Sequence, residues 1–449
     1  MKVSGNKLNC LKIVYKYIYN FRKGISGNFA KILLAYASSQ LFGNLLQLAA
    51  GLLIVHWIIP EIYGKFSGAG IFLGYLSLLH LGVLNGLNRE LPVEHGRKNF
   101  DIVKHLSAVA YWVVLFIGLP SALVLSGLAL HAVFTGHIEF AWVYLAYATS
   151  AFFLLLNKFY LHVLYRTNND FEKLTKITIV LSIASIITVL LIWVMPDLKG
   201  LSVRLIILNV VEFYLLYHFR PIRVKPRWST EYAKRLFNTG LPIQIVGQLM
   251  PLWNTLKNTI IFSLGGPLQF GYYALVNVAT STISTIPIAF SQIIYPKMAI
   301  AYGEGKSNDQ VYKIAVKPAW VLFVIGIFIC IGGYFLLPVT IEYLMPKYIP
   351  GMRAAMWILL FPIVSAFEPA NNYFNVFEKQ KQYFLAGLAG IIVSAIYIAV
   401  YYYLFGFSLE LFTQSLIIGT IVQNMMCYYF IKNHIKQSSG EKVFKETFV

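Results

Sequence analysis

A small set of polar residues sits inside stretches that are otherwise apolar, and their types limit the chemistry open to this chain. Lys257 is the sharpest of them. It lies about two-thirds of the way along a hydrophobic run, one turn from Asn254 and next to Asn258. An ammonium at that depth is too costly to face hydrocarbon, so it either anchors an anion or has a structural partner. Along the same run Gln244, Gln248, Pro251, Thr255 and Asn258 recur every three or four residues, which makes a polar helical stripe. A run near the N-terminus carries a similar stripe at Gln40, Asn44 and Gln47. Amides in such places either hold helices together or line a wet cavity. Glu368, in FEPANNYFN, is a carboxylate beside Pro369, whose ring removes a backbone hydrogen bond. It suits a proton or Na⁺ site, or an ion pair with Lys257. Arg89 marks a basic exit from the second apolar run, and Glu212 is a weaker acidic candidate.

The sequence does not support catalysis. The four aspartates (Asp101, Asp170, Asp197 and Asp309) form no DxD pair, and no HExxH occurs. Gly305-Lys306-Ser307 resembles the end of a phosphate-binding loop, but the leading glycine would fall at Ile300. Cys10, Cys330 and Cys427 lie far apart and suggest neither a disulfide framework nor a metal site. No enzyme, metal or cofactor is expected.

The elements that position these residues follow from composition. The chain has 449 residues, 58% hydrophobic and 12% charged. Soluble domains are roughly 25% charged, so an ordinary soluble, disordered or disulfide-stapled protein is excluded. A polytopic membrane protein remains. A net charge of +19 would suggest nucleic acid in a soluble chain. Here it reads as the Lys and Arg that keep loops in the cytoplasm, and no nucleic-acid partner is expected.

At about 20 apolar residues per span, twelve spans are expected: 32–55, 66–88, 105–128, 140–161, 177–195, 201–219, 240–262, 271–296, 319–338, 354–377, 384–405 and 411–431. Spans 2 and 8 are the least regular, because Gly, Ser, Thr and Asn interrupt them. If loops alternate from an inside start, 30 of the 37 Lys and Arg fall inside, 4 fall outside, and Lys158, Arg204 and Lys257 fall within or at the edges of spans. One missed span would invert this bias beyond it, so both termini are expected in the cytoplasm. No cleavable signal is visible, and the first span is expected to direct insertion. Segment 8–23 has an apolar face (Leu11, Val14, Tyr15, Ile18) and a basic one (Lys12, Lys16, Lys23). That suits a helix lying on an anionic leaflet, with a basic tail as the alternative.

An internal repeat divides the chain. Pro60–Gly64 follows span 1 and Pro267–Gly271 follows span 7, with the same internal spacing, 207 residues apart. The expected layout is a basic N-terminal segment (1–31), a six-helix bundle (32–219), a basic linker (220–238), a second bundle (239–431) and a tail (432–449). Six spans per half is even, so the halves are parallel and related by a pseudo-twofold along the membrane normal. Two such bundles enclose a cavity that opens to each side in turn. Gly70-xxx-Gly74 and Gly82-xxx-Gly86 in span 2 read as close helix packing.

Four stretches carry a resemblance: NTGLPIQIVGQLMPLW (238–253), IIFSLGGPLQFGYYAL (260–275), IIYPKMAIAYGEGK (293–306) and LGVLNGLNREL (81–91). They resemble the bacterial polysaccharide flippases, the O-antigen and exopolysaccharide translocases of the multidrug/oligosaccharidyl-lipid/polysaccharide exporter superfamily. The resemblance implies movement of a polyprenyl-diphosphate-linked oligosaccharide from the inner to the outer leaflet of the bacterial cell membrane, with polysaccharide-assembly proteins as partners and H⁺ or Na⁺ as a coupling ion. Members often carry an Asp-Arg pair midway along span 7. Here Lys257-Asn258 stands there, so a base is kept, shifted by one residue, and the acid is lost. A cation-coupled multidrug exporter of the same superfamily, and a membrane polysaccharide polymerase, are the alternatives.

The charge bias gives a direct test. A topology reporter fused after Lys436 is expected to read cytoplasmic, and one placed in 129–138 to read on the other side. A C-terminal fusion reading outside would overturn the even span count.

Overall fold

Glycine or proline stands at several of the breaks in the apolar runs, although Pro120 and Pro338 lie inside unbroken helices. The computed structural model describes residues 27–447, all helices, turns and connections, with no β-strand among them. The amphipathic segment expected at 8–23, and Cys10, lie outside the described residues. We call the face holding the two described chain ends the terminal face and the other the opposite face.

Six runs form long helices, with glycines and prolines such as Gly51, Pro120, Gly326 and Pro338 inside them. Span 1 lies in Gly27–Trp57, span 3 in Phe100–Phe134, span 6 in Leu198–His218, span 9 in Asn308–Leu344, span 11 in Gln380–Phe405 and span 12 in Leu409–Thr447. Span 4 runs through Ile138–Phe153 and a π-helical stretch, Leu154–Leu161. Span 5 is Phe171–Ile187 followed by Val189–Val194. Span 7 begins earlier than expected, in Thr230–Gly247, so the non-helical part of the linker is short. Leu249–Gly303 then carries the rest of span 7 and all of span 8, broken at Gly266 (φ 70°, ψ −177°). Its left-handed φ suits glycine. By length and composition, eight described stretches suffice to cross a membrane, and together they account for spans 3 to 11.

Spans 2 and 10 are fractured. Span 2 is Pro60–Ala69, Phe72–Leu76 and Val83–Gly96, with positive φ at Leu81 and Gly82 between the last two. Its glycines lower helix propensity by about 1 kcal/mol each relative to alanine. Span 10 is Met352–Ile358, Phe361–Ser365, a 3-10 turn at Glu368–Asn371, and Asn372–Val376. Pro362 and Pro369 stand where its pieces begin. Span 8, expected to be irregular, is helical throughout. Gly305-Lys306-Ser307 is a helix start. Ser307 Oγ accepts from Gln310 N–H at 3.3 Å while Gln310 Oε1 accepts from Ser307 N–H at 3.1 Å.

Each half buries its own core. Leu84, Leu87, Leu106, Leu156 and Leu164 anchor the N-terminal one, and Tyr373, Phe374, Met298 and Cys427 the C-terminal one. Ala233 and Leu236, at the start of span 7, pack into the N-terminal core. The second half is therefore fastened to the first from its first turn.

Candidate functional site

The seam between the halves is built on backbone contact. At the opposite face the two repeated motifs meet each other reciprocally. A Cβ on Gly64 would lie 1.7 Å from the Pro267 carbonyl oxygen, and one on Gly271 would lie 1.8 Å from that of Pro60. Each motif's glycine admits the other motif's proline carbonyl, as a pseudo-twofold requires. At the terminal face a Cβ on Gly240 would lie 1.8 Å from the Gly82 carbonyl oxygen. Gly82 itself has φ +85°, and a Cβ there would lie 2.4 Å from the Gly240 carbonyl carbon, so the position suits glycine.

Polar bonds join spans 2 and 7 between these ends. Tyr75 and Thr259 hydroxyls share a hydrogen bond of 2.8 Å. Gln244 Nε2 donates to the Ser77 carbonyl at 3.0 Å, and Asn85 Nδ2 donates to Gln244 Oε1. Ser77 Oγ donates to Gln248 Oε1 at 3.4 Å. Gln244 is 5% exposed, so its amide is committed to span 2. Past it, Arg235 from the second half clamps the end of span 2, meeting Glu90 Oε2 at 2.6 Å and Glu94 Oε1 at 2.5 Å. Asn99 Nδ2 donates to Glu94 Oε2 at 2.7 Å. The Asn99 bond first, and then Arg235, hold the Glu94 carboxyl below its ordinary value. The Glu94 and Glu90 bonds raise Arg235 in turn.

Spans 1 and 8 meet through Leu52 and Val55 against Leu275, and where Gly51 faces Val278. These contacts lie toward the opposite face. Nearer the terminal face Gln47 and Ser281 are exposed, and Asn44 is half-buried. The side chain of Gln40 lies outside the described residues. Arg89 is exposed at the terminal face.

Inside the C-terminal bundle, spans 7, 8, 10, 11 and 12 line a cavity of about 180 Å³. Asn254 and Glu368 line it together, beside Trp253, Ser284, Thr280 and Gln423. Sequence reasoning named the first two and missed the others, because single Ser, Thr and Gln residues in apolar runs carry little signal. Trp253 Nε1 donates to Ser394 Oγ at 3.2 Å, which fixes the indole edge. Lys257 is 3% exposed and lies one helical turn from both Trp253 and Ile261, which pack in the C-terminal core. It forms no ion pair among the described residues, so the Lys257–Glu368 pair is not made in this state. Asn258, half-buried, precedes Thr259 of the seam bond.

The N-terminal bundle holds two further polar groups. Asn157 Nδ2, in the π-helical stretch, donates to Glu212 Oε2 at 3.3 Å, with His162 Nε2 3.8 Å from the same carboxylate. Arg204 Nη2 donates to Ser185 Oγ at 2.9 Å, and its buried Nε has no acceptor. The signal for Arg204 was a lone base inside span 6.

Two bundles joined along one seam, with buried polar groups in each, make a fold that solved membrane transporters share. An inward-facing multidrug resistance MATE family transporter of the MOP superfamily aligns with TM-score 0.69 at 14% identity, covering 88% of this chain and 95% of the other. Its outward-facing counterpart aligns at 0.61 and 14%, covering 91% and 96%. A MOP superfamily transporter from Pyrococcus furiosus Vc1 (DSM3638), reported with a binding pocket of reversed polarity, aligns at 0.61 and 15%, covering 90% and 96%. No curated protein matches. The family model for polysaccharide biosynthesis proteins matches residues 60–342, and the chain belongs to that family.

The clamp has a signed pH dependence. A depressed carboxyl stabilises the fold above its ordinary value of 4.5, and that contribution is lost as pH falls through the folded-state value. Glu94→Gln is expected to lower the melting temperature of the purified protein at neutral pH. The gap to the parent should close as pH drops below 4.5. A gap that does not change with pH would mean that the Glu94 charge contributes nothing.

Proposed function

We propose that this protein is a flippase that carries a polyprenyl-diphosphate-linked oligosaccharide from the cytoplasmic to the outer leaflet of a bacterial cell membrane, for surface polysaccharide assembly. Membership of the polysaccharide biosynthesis family carries this reading. The two-bundle architecture supports it, because spans 1 and 8 meet toward the opposite face and leave Gln47 and Ser281 exposed nearer the terminal face, which suits alternating access. The charge bias assigns the terminal face to the cytoplasm. The closed Pro60–Gly271 contact then lies at the outer face, which agrees with the higher score against the inward-facing structure.

The sugar and diphosphate cross between the bundles while the lipid tail stays in the bilayer. Two negative charges leaving a negative interior gain about 4–5 kcal/mol per 100 mV of membrane potential, so the potential assists export. Lys257 supplies positive charge from within the second bundle, and Asn254, at the cavity wall, supplies a neutral hydrogen-bonding group for sugar hydroxyls. Glu368 shares that cavity and is the candidate for ion coupling.

Reconstituted vesicles with a fluorescent lipid-linked oligosaccharide, alongside surface-glycan assembly in cells, test the reading. Lys257→Met keeps the volume and removes the charge. Flipping is expected to fall by about tenfold or more with protein level and melting temperature retained, and Lys257→Arg is expected to recover part of it. Full glycan assembly by Lys257→Met would make the lysine structural.

Glu368→Gln separates coupling from binding. The variant is expected to lose any response of transport to an imposed pH gradient while still binding substrate. If it responds as the parent does, Glu368 is structural and the membrane potential remains as the drive.

A further inference from the structure

Between the halves the chain runs as RPIRVKPRW (220–228), with neither helix nor turn over 223–229. It is pinned at both ends. The Arg220 guanidinium lies 3.5 Å over the Tyr217 ring and donates to the Tyr217 carbonyl at 2.6 Å. The Arg227 N–H donates to the Ala108 carbonyl at 3.2 Å, well inside the helix of span 3. Trp228 packs 4.7 Å from Trp112, which stacks on Phe116 at 4.8 Å and 11°. The segment is thus a strap laid along the flank of span 3.

Its sequence alternates Arg223, Val224, Lys225, Pro226, Arg227 and Trp228. Pro226 holds Lys225 extended, and alternate residues of an extended chain share a side. The three cations are exposed and make no ion pair among the described residues. Beside them stands an aromatic wall that is also uncovered, with Trp228 48% and Phe116 63% exposed. A row of unpaired cations beside exposed aromatic rings, at the end of span 3 that the charge bias puts in the cytoplasm, matches one ligand chemistry.

We propose that the strap binds an acidic phospholipid, its phosphate held by Arg223, Lys225 and Arg227 and its acyl chains lying on Trp228, Trp112 and Phe116. The ligand is a resident lipid of the leaflet and not the transported one. Span 3 packs on spans 2 and 4 and on the start of span 7, whereas spans 1 and 8 border the looser side of the seam. The site therefore stands whether or not the flippase reading does.

The test uses the full-length protein in nanodiscs containing equal phosphatidylglycerol and phosphatidylcholine, released into detergent and weighed intact. The parent is expected to retain phosphatidylglycerol in preference. The Arg223→Ala/Lys225→Ala/Arg227→Ala variant should lower its retention by at least about tenfold. Lys317→Ala/Lys379→Ala/Lys381→Ala, which removes three bases elsewhere, should retain it as the parent does. Should the triple strap variant fail to fold, Arg223→Gln/Arg227→Gln carries the test, with Arg223→Lys/Arg227→Lys expected to keep the lipid. Equal retention by the folded strap variants and the parent overturns the proposal, as does equal loss in the control. Displacement by undecaprenyl phosphate at equal mole fraction would assign the strap to the cargo's lipid class and also overturn it.

Discussion

The structure depends on one contact that side chains would forbid. Spans 2 and 8 approach until the backbone of each motif fills the place of the other's missing side chain, Gly64 on Pro267 and Gly271 on Pro60. Helices in lipid have no hydrophobic drive to associate, so close packing and polar bonds must hold them. Gly64 and Gly271 lie within intact helix, and span 2 fractures beyond its contact, at Gly70–Ile71 and again before Val83. Its broken turns free polar groups such as the Ser77 carbonyl, and Gln244 bonds to it from the other half.

Charge is placed around this seam unevenly. At the terminal face one cluster is paired across the seam: Glu90, Glu94 and Arg235 form a cross-half clamp, with Arg97 and Asn99 satisfying the rest of Glu94. Deeper in, pairing stops. Lys257 in one bundle and Arg204 in the other have no carboxylate partner among the described residues, and Glu368 faces a cavity instead of a base. Paired charges at the rim stabilise one arrangement of the halves. Burying an unpaired charge is costly, so these interior groups set the places where a function for them would be sought.

Much of this was legible in the sequence, for reasons that differ from one residue to another. Span positions follow from apolar length, and Pro369 signalled the break at Glu368 because a ring nitrogen cannot donate. The Pro-x-x-x-Gly repeat announced equivalent places in the two halves, but not that the two copies touch, since spacing along a chain does not encode which helices meet. The amides of the span 7 stripe were ambiguous between cavity and contact. Burial separates them: Gln244 is spent on span 2, while Asn254, ten residues on, lines a cavity. Lys257 was recognisable by cost alone. Its side of the helix was not, because Trp253 and Thr255 both flank it and only packing decides which of them faces the second bundle.

The reciprocal geometry also constrains motion. Because the Gly64 and Gly271 contacts are symmetry-related copies of one interaction, separating the halves there breaks both together. The span 2–span 7 line resists the same motion through bonds at Tyr75, Ser77 and Gln244 and through the Arg235 clamp, whereas among the described residues spans 1 and 8 meet through apolar side chains. Apolar contacts slide in a lipid environment at little cost, and directional bonds do not. A rotation that keeps the span 2–span 7 line and shears the span 1–span 8 contacts is the movement this chemistry makes easiest.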